Sequence, residues 1–211
     1  MLFKPKLVLI FLGWVFVVSA DEMNPAQALK QLVEGNNRYK QERLLHPNRS
    51  KEARICSVNG QNPFAIILGC SDSRVSPEII FDQGIGDLFV VRVAGNVVGP
   101  IELDSIEYSA LYLKSSIIMV LGHQNCGAIQ AVINGQTQDI EAVASLIIPS
   151  LELARTQKGS LIENTVKDNV LYVIDGLKKS PALAKLIKDK KIDIVGGYYD
   201  FQTGGVELIT K

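Results

Sequence analysis

From residue 64 onward the chain alternates short apolar runs with longer stretches whose apolar residues recur at helical spacing. Phe64–Leu68, Leu88–Val93, Ile117–Leu121 and Ile192–Val195 have strand length and strand composition. Between them, Ile101–Lys114 carries a helical pattern, and Glu141–Leu177 reads as two helices broken near Thr156–Ser160. Strands alternating with helices predict an α/β fold with a mostly parallel central sheet covered on both faces. The tail, Gly196–Ile209, reads as a strand, a glycine-containing turn and a final edge strand. Upstream, Asn24-Pro25 is a helix start, with proline at the first helical position and Ala28, Leu29, Leu32, Val33 and Tyr39 following at helical spacing. The polar segment Leu44–Asn62, interrupted by Pro47 and Gly60, reads as loop.

The first twenty residues stand apart from this pattern. Lys4 and Lys6 precede an apolar run from Leu7 to Val18, then Ser19-Ala20 and the charged Asp21-Glu22. That is the layout of a cleaved secretory signal, and the run is shorter than the ~20 residues a membrane span needs. The expected organisation is a signal peptide over 1–20 and one domain over 21–211, exported to the periplasm or medium, with no stable membrane association after cleavage near Ala20.

Composition narrows the partners. Lys plus Arg and Asp plus Glu are 22 each, so no net field draws the protein to nucleic acid or an anionic surface, and a small-molecule substrate is expected.

The candidate chemistry sits directly after two of the predicted strands. Cys70-Ser-Asp72-Ser-Arg74 follows the first, and His123-Gln-Asn-Cys126 follows the third. Two cysteines and a histidine are the donor number that a catalytic zinc uses when its fourth position stays open. The spacing of His123 and Cys126 puts both on one face of a helix start. Ligands at about 2.0–2.3 Å from one ion require the first and third strands to be neighbours. The second strand is then pushed outward, giving the order 2-1-3, with the fourth strand extending it to 2-1-3-4. The site lies at the carboxyl ends, where the order reverses. A Cys70–Cys126 disulfide with Cys56 left over is the competing reading in an exported chain. It leaves His123, Asp72 and Arg74 without a role.

These segments resemble the β-class carbonic anhydrases: Cys-Ser-Asp-Ser-Arg, then Gly-His-x-x-Cys-Gly, with Glu34-Gly-Asn in the N-terminal helix, Gly86–Arg92 and Ala94-Gly-Asn96 about the second strand, and closing strands at 196–209. The resemblance spans the whole mature chain. It implies one Zn2+ held by Cys70, His123 and Cys126, and reversible hydration of carbon dioxide to bicarbonate by attack of zinc-bound hydroxide. Asp72 and Arg74 form its catalytic dyad, Asp72 being a fourth ligand only in a closed state. It implies pocket roles for Gln61, Phe89, Tyr108 and Gly127: a glutamine that hydrogen-bonds substrate, a wall, an aromatic lent across a subunit interface, and a backbone donor. A homodimer or higher homo-oligomer follows. Val93 stands where many members carry Asn, and Ile67 where the bicarbonate-inhibited subtype carries Trp. The alternatives are a zinc hydrolase of carbonyl sulfide or carbon disulfide, and a non-catalytic zinc protein on the same fold.

Overall fold

The computed structural model describes residues 23–209; the signal sequence expected over 1–20 lies outside them. Helix α1 (Pro25–Lys40) opens the fold, its amino end closed by reciprocal Asn24 and Gln27 hydrogen bonds. Strand β1 (Ala65–Gly69) follows, then α3 (Pro77–Ile80), β2 (Leu88–Arg92), α4 (Pro100–Tyr108) with a π-helical turn over Ser109–Leu113, and β3 (Ile117–His123). Next come α5 (Gly127–Ile133), α6 (Glu141–Ala154), α7 (Leu161–Leu177), α8 (Pro181–Lys188), β4 (Asp193–Tyr199) and β5 (Val206–Ile209). Between α1 and β1 the expected loop contains a short helix, α2 (Lys51–Cys56), started by Ser50.

The strands form one sheet of order β2-β1-β3-β4-β5. The first four run parallel, and β5 closes the edge antiparallel to β4. The predicted order is therefore observed. One boundary moves: β4 runs on to Tyr199 through Gly196 and Gly197, residues expected to begin a separate strand. A Cβ on Gly196 would lie 2.7 Å from Val170 Cγ1, and one on Gly197 2.9 Å from Val206 Cγ1. The glycines mark close packing inside a strand.

Alternation along β1 divides the core. Ile66 and Leu68 face Ile106, Val170, Ile174 and Leu183, while Ala65 and Ile67 face Ala28, Leu32, Ile80 and Phe81. With both faces covered, every residue of β1 is buried, which explains its unbroken apolar run. A third cluster caps the carboxyl ends of the strands and contains Cys70, Cys126, Ile129, Ile147, Leu151 and Val166.

A buried acid fastens the loop after α1. The Asp82 side chain is fully buried and accepts from Arg38 Nε at 2.6 Å, Leu45 N–H at 2.9 Å and His46 N–H at 3.1 Å. Burial alone would raise its pKa; the hydrogen bonds from Arg38 and the two backbone groups outweigh that and lower it. Asp82→Ala leaves Arg38 and two amides without their acceptor, and is expected to cost about 3 kcal/mol, a fall of roughly 6–12 °C in thermal midpoint. Because the folded-state pKa is depressed, the stabilisation is complete above the ordinary carboxylate value and is lost as pH falls through the lower folded one. The gap between wild type and variant should therefore close in acid. Melts with no gap at neutral pH would show that Asp82 fastens nothing.

Candidate metal centre

Cys70 follows the last residue of β1, and His123 is the last residue of β3. The strands are paired in register, Gly69 opposite Leu121, so their carboxyl ends bring the two residues to one crevice. Cys126 arrives by a tight turn: Asn125 has a left-handed φ of 51°, and Cys126 caps α5. The expectation that His123 and Cys126 share a helix face is thus corrected, because the strand continues through His123 and the helix begins only at Gly127. The backbone N–H groups of Ala128 and Ile129 instead turn back towards the Cys126 sulfur.

The donor atoms of Cys70, His123 and Cys126 lie within 4.8 Å of one another, and all three residues are buried. The sulfurs are 3.9 Å apart and both cysteines are free, which removes the disulfide alternative. His123 Nδ1 is 3.0 Å from the Gln124 carbonyl oxygen. Since a carbonyl only accepts, Nδ1 carries the proton, and Nε2 presents its lone pair to the sulfurs. That Nε2 is buried with no hydrogen-bond partner among the described residues, a costly state for a polar atom unless a cation receives it.

The thiols ask for the same cation. The hydrogen bond from Cys126 lowers the Cys70 pKa to about 4, and the same contact, with burial, pushes Cys126 far up. The two sulfurs are left with one proton between them, which a divalent ion held by both would displace. Two thiolates and one imidazole at these separations fit zinc and leave one of its four positions open.

Asp72 and Arg74 flank that position. Arg74 Nε donates to Asp72 Oδ1 at 2.9 Å, its terminal nitrogen to Oδ2 at 2.7 Å, and its backbone N–H to Oδ1 at 3.0 Å. The bidentate contact holds the Asp72 carboxyl well below the usual carboxylate range. Asp72 Oδ2 is 4.0 Å from His123 Nε2, beside the three donors. Arg92 supports the loop from behind, donating from Nε to the Cys70 carbonyl at 3.0 Å.

Of the four pocket residues expected from the resemblance, Gln61, Phe89 and Tyr108 do not gather here within the single chain. Gln61 is exposed before the amino end of β1, opposite the end that carries Cys70. Phe89, on the edge strand β2, and Tyr108, at the end of α4, pack on each other with ring centroids 6.3 Å apart. Gly127 is at the site, and a Cβ there would meet open space. Phe201 was not visible as a site residue in the sequence. Its ring lies 4.4 Å from the Arg74 guanidinium carbon and edge-on to His123 at 5.6 Å. No local pattern marks it, since only the turn between β4 and β5 brings it there.

The carbonic anhydrase family profile matches residues 65–206. Carbonic anhydrase 2 of Mycobacterium tuberculosis is 40% identical over 192 residues, covering 88% of this chain and 93% of its own. The carbonic anhydrase of Mycolicibacterium smegmatis is 37% identical over the same shares of each chain. Among solved structures, the Coccomyxa β-carbonic anhydrase in complex with acetazolamide superposes with a TM-score of 0.64 at 27% identity, covering 87% of this chain and 86% of that one. The chain belongs to the β-class carbonic anhydrases. As a β-carbonic anhydrase it uses zinc, and the buried Cys-His-Cys group is where its described residues can hold one.

Proposed function

We propose that the protein interconverts carbon dioxide and bicarbonate at the crevice between β1 and β3, with Cys70, His123 and Cys126 holding zinc. When bound there, zinc supplies the Lewis acidity that makes water a nucleophile near neutral pH. The observation that carries this reading is the clamp on Asp72: both carboxylate oxygens accept from Arg74, which keeps this acid, 4.0 Å from His123 Nε2, from entering the fourth position. Held in this way, Asp72 accepts a hydrogen bond from the attacking water and fixes its direction. Gly127, with open space beside it, offers a backbone donor to the carboxylate oxygens of bicarbonate. The test is metal analysis with stopped-flow hydration of carbon dioxide. About one zinc per chain with turnover supports the reading, and zinc-replete protein without turnover overturns it.

The active assembly is a homodimer in this proposal. Tyr108 is 47% exposed in the single chain, next to Leu111, Tyr112 (74% exposed) and Ile101 (77% exposed), and β2 beside it is an edge strand. A second copy covering this face would carry Tyr108, and Gln61 with it, towards the partner's crevice. Tyr108→Ala is then expected to weaken the dimer in analytical ultracentrifugation and to lower hydration in parallel. A variant that stays dimeric at wild-type rate would return Tyr108 to plain packing.

Export with cleavage near Ala20 completes the proposal, supported by the Lys4/Lys6, Leu7–Val18 and Ser19-Ala20 pattern. Mass spectrometry of the mature protein decides it: a start near Asp21 supports export, and a chain that retains residues 1–20 overturns it.

A further inference from the structure

Asn169 is a polar side chain in an apolar place. It lies on α7 between Val166 and Val170, is fully buried, and faces no solvent. A carboxamide buried among valines is costly unless it is hydrogen-bonded. Its Nδ2 donates to the Gly95 carbonyl oxygen at 2.8 Å, across 74 residues of chain, while its Oδ1 has no partner among the described residues. The one contact made is with a residue that touches the metal centre: the Gly95 N–H donates to Cys70 Sγ at 3.3 Å.

Gly95 is placed with little freedom. Its φ of +68° and ψ of 16° fall in the left-handed region, and a Cβ there would stand 2.8 Å from Ile147 Cδ1. Glycine lets the backbone take this shape but does not by itself hold it. Asn169 grips the carbonyl on one side, and the amide on the other side is thereby aimed at sulfur. The second donor to Cys70 Sγ, the Asp72 N–H at 3.4 Å, comes from the loop after β1 and does not depend on α7. Hydrogen bonds to a ligating thiolate stabilise its charge and fix the direction in which it faces the metal, so losing one weakens the hold on the ion.

We propose that Asn169 is a positioning residue of the metal centre, which acts through Gly95 to hold the N–H···S hydrogen bond on Cys70 and so stabilises and orients this thiolate as a ligand. The proposal rests on the carbonic anhydrase reading of the Cys-His-Cys group and adds a support drawn from a helix outside the motif loops.

The experiment uses 113Cd in place of zinc, with NMR detection of scalar coupling from cadmium to amide protons through N–H···S hydrogen bonds. In wild type, coupling is expected to both Gly95 and Asp72. In Asn169→Ser, whose hydroxyl is too short to reach Gly95, the Gly95 coupling should vanish while that of Asp72 persists, and zinc loss to a chelator should quicken by about 10- to 100-fold. Thr165→Val is the control: Thr165 is also fully buried on α7, but its hydroxyl bonds only the Leu161 carbonyl, so a general loosening of α7 would appear there too, with no change in coupling. An undetectable Gly95 coupling in wild type, or an unchanged one in Asn169→Ser, overturns the proposal. The wild-type measurement decides even if the variant does not fold. Cadmium that fails to bind one per chain at Cys70 and Cys126 would instead overturn the underlying metal assignment, and the two failures are distinct.

Discussion

Cys126→Ser is expected to fold and to lose both zinc and carbon dioxide hydration. Serine keeps the size of the side chain at the cap of α5, but its hydroxyl does not ionise near neutral pH, so the group that remains is one thiolate and one imidazole. Loss of an outer-sphere partner costs about 10- to 100-fold in metal affinity; loss of one of three protein ligands is expected to exceed that range. Titration against a competing chelator measures the affinity, and stopped-flow hydration the activity. Cys56→Ser, at an exposed position away from the cluster, should match wild type in both. A Cys126→Ser protein with wild-type zinc content and full turnover would end the ligand assignment.

Arg74→Ala is expected to be inactive yet zinc-replete. The substitution touches none of the three donors but removes two of the three hydrogen bonds that residue 74 makes to Asp72, leaving only the one from its backbone N–H. An ionised carboxylate already 4.0 Å from His123 Nε2 is then free to turn into the open position. A misplacement of about 1 Å in a reacting site costs on the order of 100-fold, and a blocked position should cost at least that. In wild type the clamp lowers the Asp72 pKa, so the carboxylate is charged, and the pair intact, at all pH values above the ordinary carboxylate range; the contribution is lost only as pH falls through the depressed value. Metal analysis, hydration rates and a crystal structure of the variant check the prediction together. Wild-type rates in Arg74→Ala would make the pair a surface contact and nothing more.

How far the sequence reaches depends on how local the cause is. The strands were legible because β1 and β3 are buried on both faces, which writes an unbroken apolar run. The donors were legible because each follows such a run. Two features were not. Helix α2 is six residues long, too short to show a period, with only the Ser50 cap to announce it. The continuity of β4 was another, because Gly196 and Gly197 look like a break between two strands until Val170 and Val206 are seen pressing on them. Asn169 and Phe201 lay beyond reach for a different reason: each matters only through a partner far along the chain, and neither carries a local pattern that tells of it.

The pairing of β1 with β3 bears on how the protein comes to be folded. Ala65 finds its place opposite Ile117, so pairing at the centre of the sheet closes a long loop that contains all of β2 and α4. Such distant parallel pairings are slow to form. They are also exposed to slippage, and a shift of one residue would turn His123 to the opposite face of the sheet from the one where Cys70 waits. Zinc can be gripped only in the correct alignment, and its binding free energy counts towards folding. The ion is thus a proofreader of strand alignment: it rewards the one register in which the enzyme can work.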